Sequence, residues 1–328
     1  MNIKARITGL SSYLPEKILS NLDLEKMVET SDEWIVSRTG IKERRIASSE
    51  ESSSMMGAAA AKKALLQANI KADEIDMILV ATMTPDYITP SSAALIQSTL
   101  QATNAAACDV QAACTGFIYT LSMAKAYVES AIYKNVLVIA TEKMSSLIDY
   151  TDRNTCVLFG DGAVAAVVTF QGSGLELSGA SLGADGSLAE LLMVPAGGSK
   201  TPATHETIDQ GLHYFKMAGR EVFKHAVRRM AFAATDTLNK ANLTTDDISW
   251  LVPHQANLRI IEAISNHLDL SSDKVYKTLH KYGNTSGSSV GIALDHLVQE
   301  KELALGDRVL LVAFGAGLTW GALILTKI

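Results

Sequence analysis

At 328 residues, 48% hydrophobic and 20% charged, the chain has room for one large domain or two fused ones and is too apolar to be disordered. A formal net charge of -6 argues against nucleic acid as the main partner, because phosphate binding draws on an excess of Lys and Arg. Only 6% of residues are aromatic, and the abundant Ala, Gly, Leu and Val suit tightly packed helix-on-sheet layers.

The first residues, Met1-Asn2-Ile3-Lys4-Ala5-Arg6-Ile7-Thr8, are too polar for a signal peptide. Downstream, Gly57 to Ala68 predicts a helix and Met77 to Thr82 a buried strand. Cys114 follows in a run of small residues, Asp109-Val110-Gln111-Ala112-Ala113-Cys114-Thr115-Gly116, ahead of an apolar helix from Phe117 to Ala124. Further strands are expected at Asn135 to Ala140 and Ala163 to Val168, and Gln171-Gly172-Ser173-Gly174 has the composition of a linker. Gly219 to Leu238 predicts a helix, Trp250-Leu251-Val252 a strand, and Val290 to Leu297 a buried helix. Strands at Arg308 to Phe314 and Gly321 to Leu325 flank a glycine-rich turn. Strands alternating with helices predict an α/β fold with helices on both faces of a mostly parallel sheet. No apolar run is long enough to span a bilayer. Three widely spaced cysteines (Cys108, Cys114 and Cys156) indicate a reduced, cytoplasmic protein, and no CxxC or HxxxH spacing suggests a metal site.

The chain also repeats itself. Ala68-Asn69-Ile70 followed by Asp73-Glu74-Ile75 returns as Ala241-Asn242-Leu243 followed by Asp246-Asp247-Ile248, 173 residues later. Val136-Leu137-Val138 and Val309-Leu310-Leu311 share that spacing of 173. Two duplicated α/β halves, residues 1–172 and 173–328, are expected, meeting near Gln171 to Gly174. The same shift carries Cys114 onto Gly287 within Gly283-Asn284-Thr285-Ser286-Gly287-Ser288-Ser289, so functional residues would meet at a pseudo-twofold centre.

Each candidate has two readings at this level. Cys114 is either a nucleophile whose thiolate is favoured by a helix N-terminus, or a small buried hydrophobe. His254, in Val252-Pro253-His254-Gln255-Ala256-Asn257, follows a strand where α/β sites gather, yet a loop histidine would look alike. Asn284 either caps a helix or donates to a developing oxyanion. Phe314-Gly315-Ala316-Gly317-Leu318-Thr319-Trp320-Gly321 is a hairpin turn or an exposed backbone donor. Phe159-Gly160-Asp161-Gly162-Ala163 lacks the Gly-Lys-Ser/Thr ending of a phosphate loop.

Taken in order, these segments resemble the β-ketoacyl-acyl-carrier-protein synthase III family over nearly the whole chain. The resemblance extends to Ser31-Asp32-Glu33-Trp34-Ile35, Arg38-Thr39-Gly40-Ile41, Asp152-Arg153, Met217-Ala218-Gly219 and Glu221-Val222-Phe223-Lys224. It implies a thiolase-like fold with duplicated halves in five α-β-α-β-α layers, a homodimer, and a two-stage reaction without a cofactor. Cys114 takes an acyl group from acyl-CoA. His254 and Asn284 then stabilise the enolate formed by decarboxylation of malonyl-acyl-carrier protein. The oxyanion hole uses the backbone N–H groups of Cys114 and, by position, Ala316.

Family positions further imply that Trp34 and Arg153 sandwich the CoA adenine, Arg38 meets phosphate, and Gly219 and Asn257 line the pantetheine path. Lys224 and Arg259 would form part of a basic rim for an acidic carrier protein. Thr89 falls where some members place a Phe that shortens the acyl pocket, which suggests room for a primer longer than acetyl. The chain departs from the family's common pattern at Gly287 and Ser288, where two alanines are frequent, and at Ala316, where the turn often has Gly. Three other readings compete. A specialised condensing enzyme of secondary metabolism would keep the same site. A cysteine hydrolase would share the order Cys, His, Asn but not the local signature. A non-catalytic acyl-binding protein would use Cys114 only structurally.

Overall fold

The computed structural model describes residues 3–328. Runs of branched apolar residues form most of the strands of one mixed sheet. They are β1 (Arg6–Tyr13), β2 (Met77–Ala81), β3 (Ala106–Val110), β4 (Asn135–Glu142), β5 (Gly162–Thr169), β6 (Leu175–Ala184), β7 (Trp250–Pro253), β8 (Arg308–Gly315) and β9 (Thr319–Lys327). Their spatial order is β7-β8-β9-β6-β1-β5-β4-β2-β3. Every residue of β4 and β5 is buried, as strands covered on both faces require.

The main helices are α1 (Asp32–Thr39), α2 (Ser53–Ala68), α3 (Ser92–Leu100), α4 (Gly116–Glu129), α5 (Gly219–Lys240), α6 (Leu258–His267) and α7 (Ser289–Glu300). Ser31, Ser52, Ser91 and Asn257 each accept a hydrogen bond from the first turn of the helix that follows, fixing where α1, α2, α3 and α6 begin.

These helices sort into layers by the cores they complete. α2 and α3 cover one face of β1, β2, β4 and β5 around Ile78, Val80, Ile96 and Ile139. α5 and α6 cover β7, β8 and β9 around Met230, Ile261, Leu310 and Ile324. Between them lie α4 and α7, which touch strands of both halves and share one core through Phe117, Leu121, Ile292 and Leu294. The result is the α-β-α-β-α arrangement of a thiolase-like fold. The two strand sets remain hydrogen-bonded where β6 overlaps β1 at two pairs, Arg6↔Glu176 and Ile7↔Leu175.

One expectation is corrected. The sheet is not mostly parallel. Five pairings (β1–β5, β1–β6, β4–β5, β6–β9 and β8–β9) are antiparallel, against three parallel ones. The three residues Ala316–Leu318 join β8 to β9, and a parallel return needs a far longer crossover. The Gln171 to Gly174 segment is tied down by its neighbours. Gly174 exchanges backbone hydrogen bonds of 3.3 and 3.0 Å with Ile328, and a Cβ on it would stand 2.0 Å from the Ile7 carbonyl oxygen.

The spacing of 173 is also a spacing of conformation. α4 and α7 begin at Gly116 and Ser289, and the short turns before them at Ala113 and Ser286. Those two turn residues have φ of 46° and 52°, and Asn69 and Asn242 have φ of 52° and 54°. Left-handed backbone is tolerable for Asn and costly for Ala or Ser, so the last two persist only because their surroundings over-determine them. No helix among the described residues is long and apolar enough to cross a membrane.

The central layer tolerates little extra volume. A Cβ on Gly291 of α7 would lie 2.4 Å from Val164 Cγ1 and 3.0 Å from the Phe117 ring. Gly291→Ala gains about 1 kcal/mol of helix propensity but overpacks by roughly 1–3 kcal/mol. A net loss of stability is expected in urea denaturation. Unchanged or raised stability would mean that α4 and α7 can part without cost.

Candidate active site

Two turns meet at the centre of the molecule. Ala113–Thr115 delivers Cys114 at the end of β3, and Ser286–Ser288 lies against it. Cys114 Sγ and Ser286 Oγ are 3.5 Å apart. Close approach is possible because two neighbours lack side chains. A Cβ on Gly287 would lie 2.9 Å from the Ala113 carbonyl oxygen, and one on Gly315 would lie 2.7 Å from the Cys114 nitrogen.

Cys114 itself is buried, and burial pushes its thiol up to about 12, with the nearby Glu142 carboxylate adding to the rise and a hydrogen bond with Ser286 opposing it. Cys114 stands in the turn that leads into α4, one residue before its N-cap Thr115, so burial opposes whatever the helix end contributes toward a thiolate.

His254 lies just beyond β7, its backbone N–H donating to Val312 at 2.8 Å. Burial alone pushes the imidazole down to about 3, so it is neutral near pH 7. Nδ1 lies 2.6 Å from Ser289 Oγ, the first residue of α7, which also accepts the Gln255 N–H at 3.2 Å. A hydroxyl that accepts from Gln255 can still donate its own proton to Nδ1, an arrangement that places the imidazole proton on Nε2.

Asn284 is gripped by the Leu158–Gly160 segment, donating its N–H to Leu158 at 2.9 Å and accepting from Gly160 N–H at 3.1 Å. Its Oδ1 accepts the Ser286 N–H at 2.8 Å, which leaves the Nδ2 hydrogens for the site. The Phe159 to Ala163 segment is thus a brace. Behind it lies the fully buried Arg44, whose guanidinium donates to the Val157 carbonyl at 2.7 Å.

Cys114, His254 and Asn284 line one cavity of about 510 Å³ that runs outward past Gly219, Asn257 and Arg259 to Trp34 and Arg38. Asn257 is also structural there. It caps α6 by accepting from Arg259 N–H at 2.9 Å, and its side-chain amide donates to the Arg38 carbonyl at 3.1 Å. Arg259 reaches the Ser37 carbonyl at 3.0 Å. Arg153 packs on the Trp34 ring at 4.9 Å from its centroid while donating to the Glu29 carbonyl at 3.0 Å. A base stacked between the two would need them roughly 7 Å apart, two carbon contact distances.

Ala316, in the turn beside Gly315, is not among the residues of positive φ, so its backbone N–H needs no glycine-only conformation. Lys224 pairs with Glu221 at 2.8 Å on the surface. Thr89 is not brought to the site: it lies in an exposed loop beside Ile88 and does not line the cavity.

Three residues of this centre had no role in the sequence reading: Ser286, Ser289 and Glu142. The two serines lie inside the quoted Gly283 to Ser289 segment, but nothing in their order says which faces sulfur and which faces imidazole. Glu142 ends a strand whose middle, Val136 to Ala140, is wholly apolar, and an acid there was the one available signal.

A family model described as 3-Oxoacyl-[acyl-carrier-protein (ACP)] synthase III matches residues 108–186, and one for the C-terminal part of the same family matches residues 238–327. A β-ketoacyl-[acyl-carrier-protein] synthase III of Chlamydia pneumoniae is 57% identical over 328 residues, covering 100% of this chain and 98% of its own. Its counterpart from Caldanaerobacter subterraneus subsp. tengcongensis is 54% identical over 320 residues, 98% of this chain and 97% of that one. The chain belongs to the β-ketoacyl-[acyl-carrier-protein] synthase III family. The crystal structure of 3-oxoacyl-[acyl-carrier-protein] synthase III from Aquifex aeolicus VF5 agrees in fold at a TM-score of 0.91 and 46% identity, covering 98% of this chain and 100% of that one. The chain is accordingly an acyltransferase-type condensing enzyme on a thiolase-like fold.

The His254 assignment can be read directly. In protein carrying ¹⁵N-labelled histidine, His254 is expected to show a protonated Nε2, an unprotonated Nδ1 and no titration between pH 5 and 8, since protonation waits until about pH 3. Ser289→Ala should blur the tautomer preference. A titration midpoint near 6.5 would refute the dry, neutral setting.

Proposed function

We propose that this chain starts fatty acid synthesis by condensing the acyl group of an acyl-CoA with malonyl-acyl-carrier protein, releasing CO₂. The observation that carries this reading is that Cys114, His254 and Asn284, from three separate segments, face one cavity whose outer end holds Trp34 and Arg38.

In the first stage Cys114 sulfur attacks the thioester carbonyl of acyl-CoA. The backbone N–H groups of Cys114 and Ala316 hold the oxyanion, and CoA leaves. In the second stage the malonyl thioester oxygen accepts hydrogen bonds from His254 Nε2 and Asn284 Nδ2. Loss of CO₂ leaves an enolate whose charge rests on that oxygen. Its carbon attacks the acyl carbonyl, the bond to sulfur breaks, and the β-ketoacyl product stays on the carrier. Two neutral donors suit this step: they stabilise the enolate without quenching it by proton transfer. The reaction calls for no cofactor, because decarboxylation drives the carbon–carbon bond.

Outside the centre, Trp34 and Arg153 would part to sandwich the adenine, Arg38 would meet phosphate, and Gly219 and Asn257 would flank the pantetheine arm. Arg259 and Lys224 would form the carrier-docking rim, with Lys224 contributing less while Glu221 holds it. We also read residues 1–172 and 173–328 as two halves, one bringing the nucleophile and the other the two donors. A homodimer is supported by the outer edge of β3, which no described strand covers, and by its neighbouring loop, where Ile88 is 91% exposed. Primer length then depends on what a second copy brings beside Thr89.

Incubation with acyl-CoAs of increasing length, followed by peptide mass spectrometry, should find the acyl group on Cys114 and its discharge by malonyl-acyl-carrier protein. Cys114→Ala should abolish acylation while retaining malonyl decarboxylation. His254→Ala and Asn284→Ala should each slow decarboxylation about 10²–10³-fold, the cost of roughly 2.7–4 kcal/mol for one lost donor. Absence of acylation by any acyl-CoA would sink the reading. Sedimentation at twice the 35.1 kDa chain mass is expected, and a monomer at micromolar concentration would remove the homodimer.

A further inference from the structure

The resting site leaves one proton without a destination. Burial keeps it on Cys114, and burial equally disfavours a protonated His254, whose Nδ1 is already engaged by Ser289. Behind Ser286, on the side away from the cavity, lies the carboxyl group of Glu142, fully buried at the end of β4.

Glu142 is surrounded by donors and lacks a counter-ion. Thr84 Oγ1 donates to it at 2.7 Å, the Met83 N–H at 3.1 Å, Ser286 Oγ at 3.2 Å and Thr82 Oγ1 at 3.3 Å. No Lys, Arg or His among the described residues forms an ion pair with it. Lys143, next in the chain, sends its ammonium to the carbonyls of Ser48 and Glu51. The strand partner is Gly162 of β5, and the loop after β2 offers only the threonine hydroxyls and the Met83 amide. The titratable group that faces Glu142 is Cys114, across Ser286.

Ser286 is held for this position. Its φ of 52° is strained, and its N–H is tied to Asn284 Oδ1. Its hydroxyl lies between Cys114 Sγ at 3.5 Å and Glu142 Oε1 at 3.2 Å, with Met83 Sδ at 3.4 Å as a weaker alternative acceptor. A hydroxyl that donates to a carboxylate keeps lone pairs to accept a thiol proton.

We propose that Glu142, acting through the Ser286 hydroxyl, receives the Cys114 proton when the cysteine is acylated and returns it when condensation frees the thiolate. In the first stage the S–H bond breaks as the bond from sulfur to the acyl carbon forms. The thiol proton passes to Ser286 Oγ while the serine proton passes to Glu142 Oε1. CoA departs as a thiolate and takes a proton from solvent. In the second stage the sulfur–carbon bond breaks, the enolate carbon takes the acyl group, and the Glu142 proton returns along the same path. Each turnover therefore consumes one solvent proton, the one on CoA. Burial raises Glu142 to about 7 against the pull of its four donors, so it can both accept and release a proton near neutrality. The acyl-transfer wording rests on the function proposed above. The relay itself does not.

The test is alkylation of Cys114 by iodoacetamide from pH 5 to 10, which needs no acyl-CoA or carrier. The wild-type rate should rise along a limb near pH 7, where Glu142 gives up its proton and becomes able to accept one. Glu142→Gln should lose that limb and react at least 10-fold more slowly at pH 7. Ser286→Ala should do the same with Glu142 intact, so the relay remains testable if one variant fails to fold. A static negative charge would have the opposite effect: Glu142→Gln would remove repulsion and speed alkylation at every pH. That result, or a limb retained in Ser286→Ala, overturns the relay. In parallel, single-turnover acetylation by acetyl-CoA should fall about 10²-fold in both variants with acetyl-CoA affinity unchanged. Wild-type alkylation with the expected limb, but no acetylation, would leave the relay standing and sink the proposed function.

Discussion

The structure depends on how closely two turns can approach at its centre. Ala113–Thr115 and Ser286–Ser288 each begin with a non-glycine residue in left-handed backbone, and each leads into a helix of the shared central layer. Their contact needs glycine at Gly287, where a side chain would strike the Ala113 carbonyl, and at Gly315, where one would strike the Cys114 amide. The five layers can be understood as the scaffold that enforces this contact. α2, α3, α5 and α6 press the two strand sets inward, and α4 and α7 fill the gap between them. Strain of this kind persists only in well-packed surroundings, and the strands flanking the centre are buried along nearly their whole length.

Packing so tight also sets the electrostatics. Cys114, His254 and Glu142 are all buried, and each moves toward its neutral form: the thiol and the carboxyl up, the imidazole down. A neutral imidazole is a useful donor to an enolate, where an imidazolium would protonate it. The same burial makes the cysteine a poor nucleophile until its proton has somewhere to go. One constraint, burial, thus both equips the second stage of the reaction and obstructs the first. The Cys114, Ser286 and Glu142 line lies where that obstruction would be relieved.

Much of this was legible in the sequence, because strongly periodic and compositionally marked segments carry their structure locally. The runs at Met77, Asn135 and Arg308 became strands, and Gly219 to Leu238 became most of α5. Cys114, His254 and Asn284, which line one cavity, were singled out from neighbouring residues that mark strand ends and turns, together with a resemblance along the whole chain. Strand direction was not legible, since it depends on which strands become neighbours and on how short the links are. The composition of Gln171 to Gly174 suits a linker, but composition cannot tell that Gly174 is pinned against Ile7 and Ile328. Ser289, Ser286 and Glu142 were missed for a related reason: their roles depend on which atom each side chain meets across the fold.

The cavity's two ends are built on different principles. At the inner end each catalytic side chain is held by a fixed partner that leaves one donor free: Ser289 on His254, Ser286 on Asn284, and the Leu158 and Gly160 backbone on the Asn284 main chain. At the outer end the contacts are arginines on backbone carbonyls and on an aromatic face: Arg259 on Ser37, Arg153 on Glu29 and on Trp34. Exposed contacts of that type contribute little each and exchange readily for water or phosphate. A tunnel that must admit one long thioester and then another gains from an entrance that rearranges cheaply. A centre that stabilises charge by fixed dipoles gains from not rearranging at all. α6 joins the two regimes. Asn257 caps its N-terminus at the entrance, while Ile260, Ile261 and Ile264 along its body share the core of Leu251, Leu310 and Val312 from β7 and β8, so one helix is anchored in both regimes.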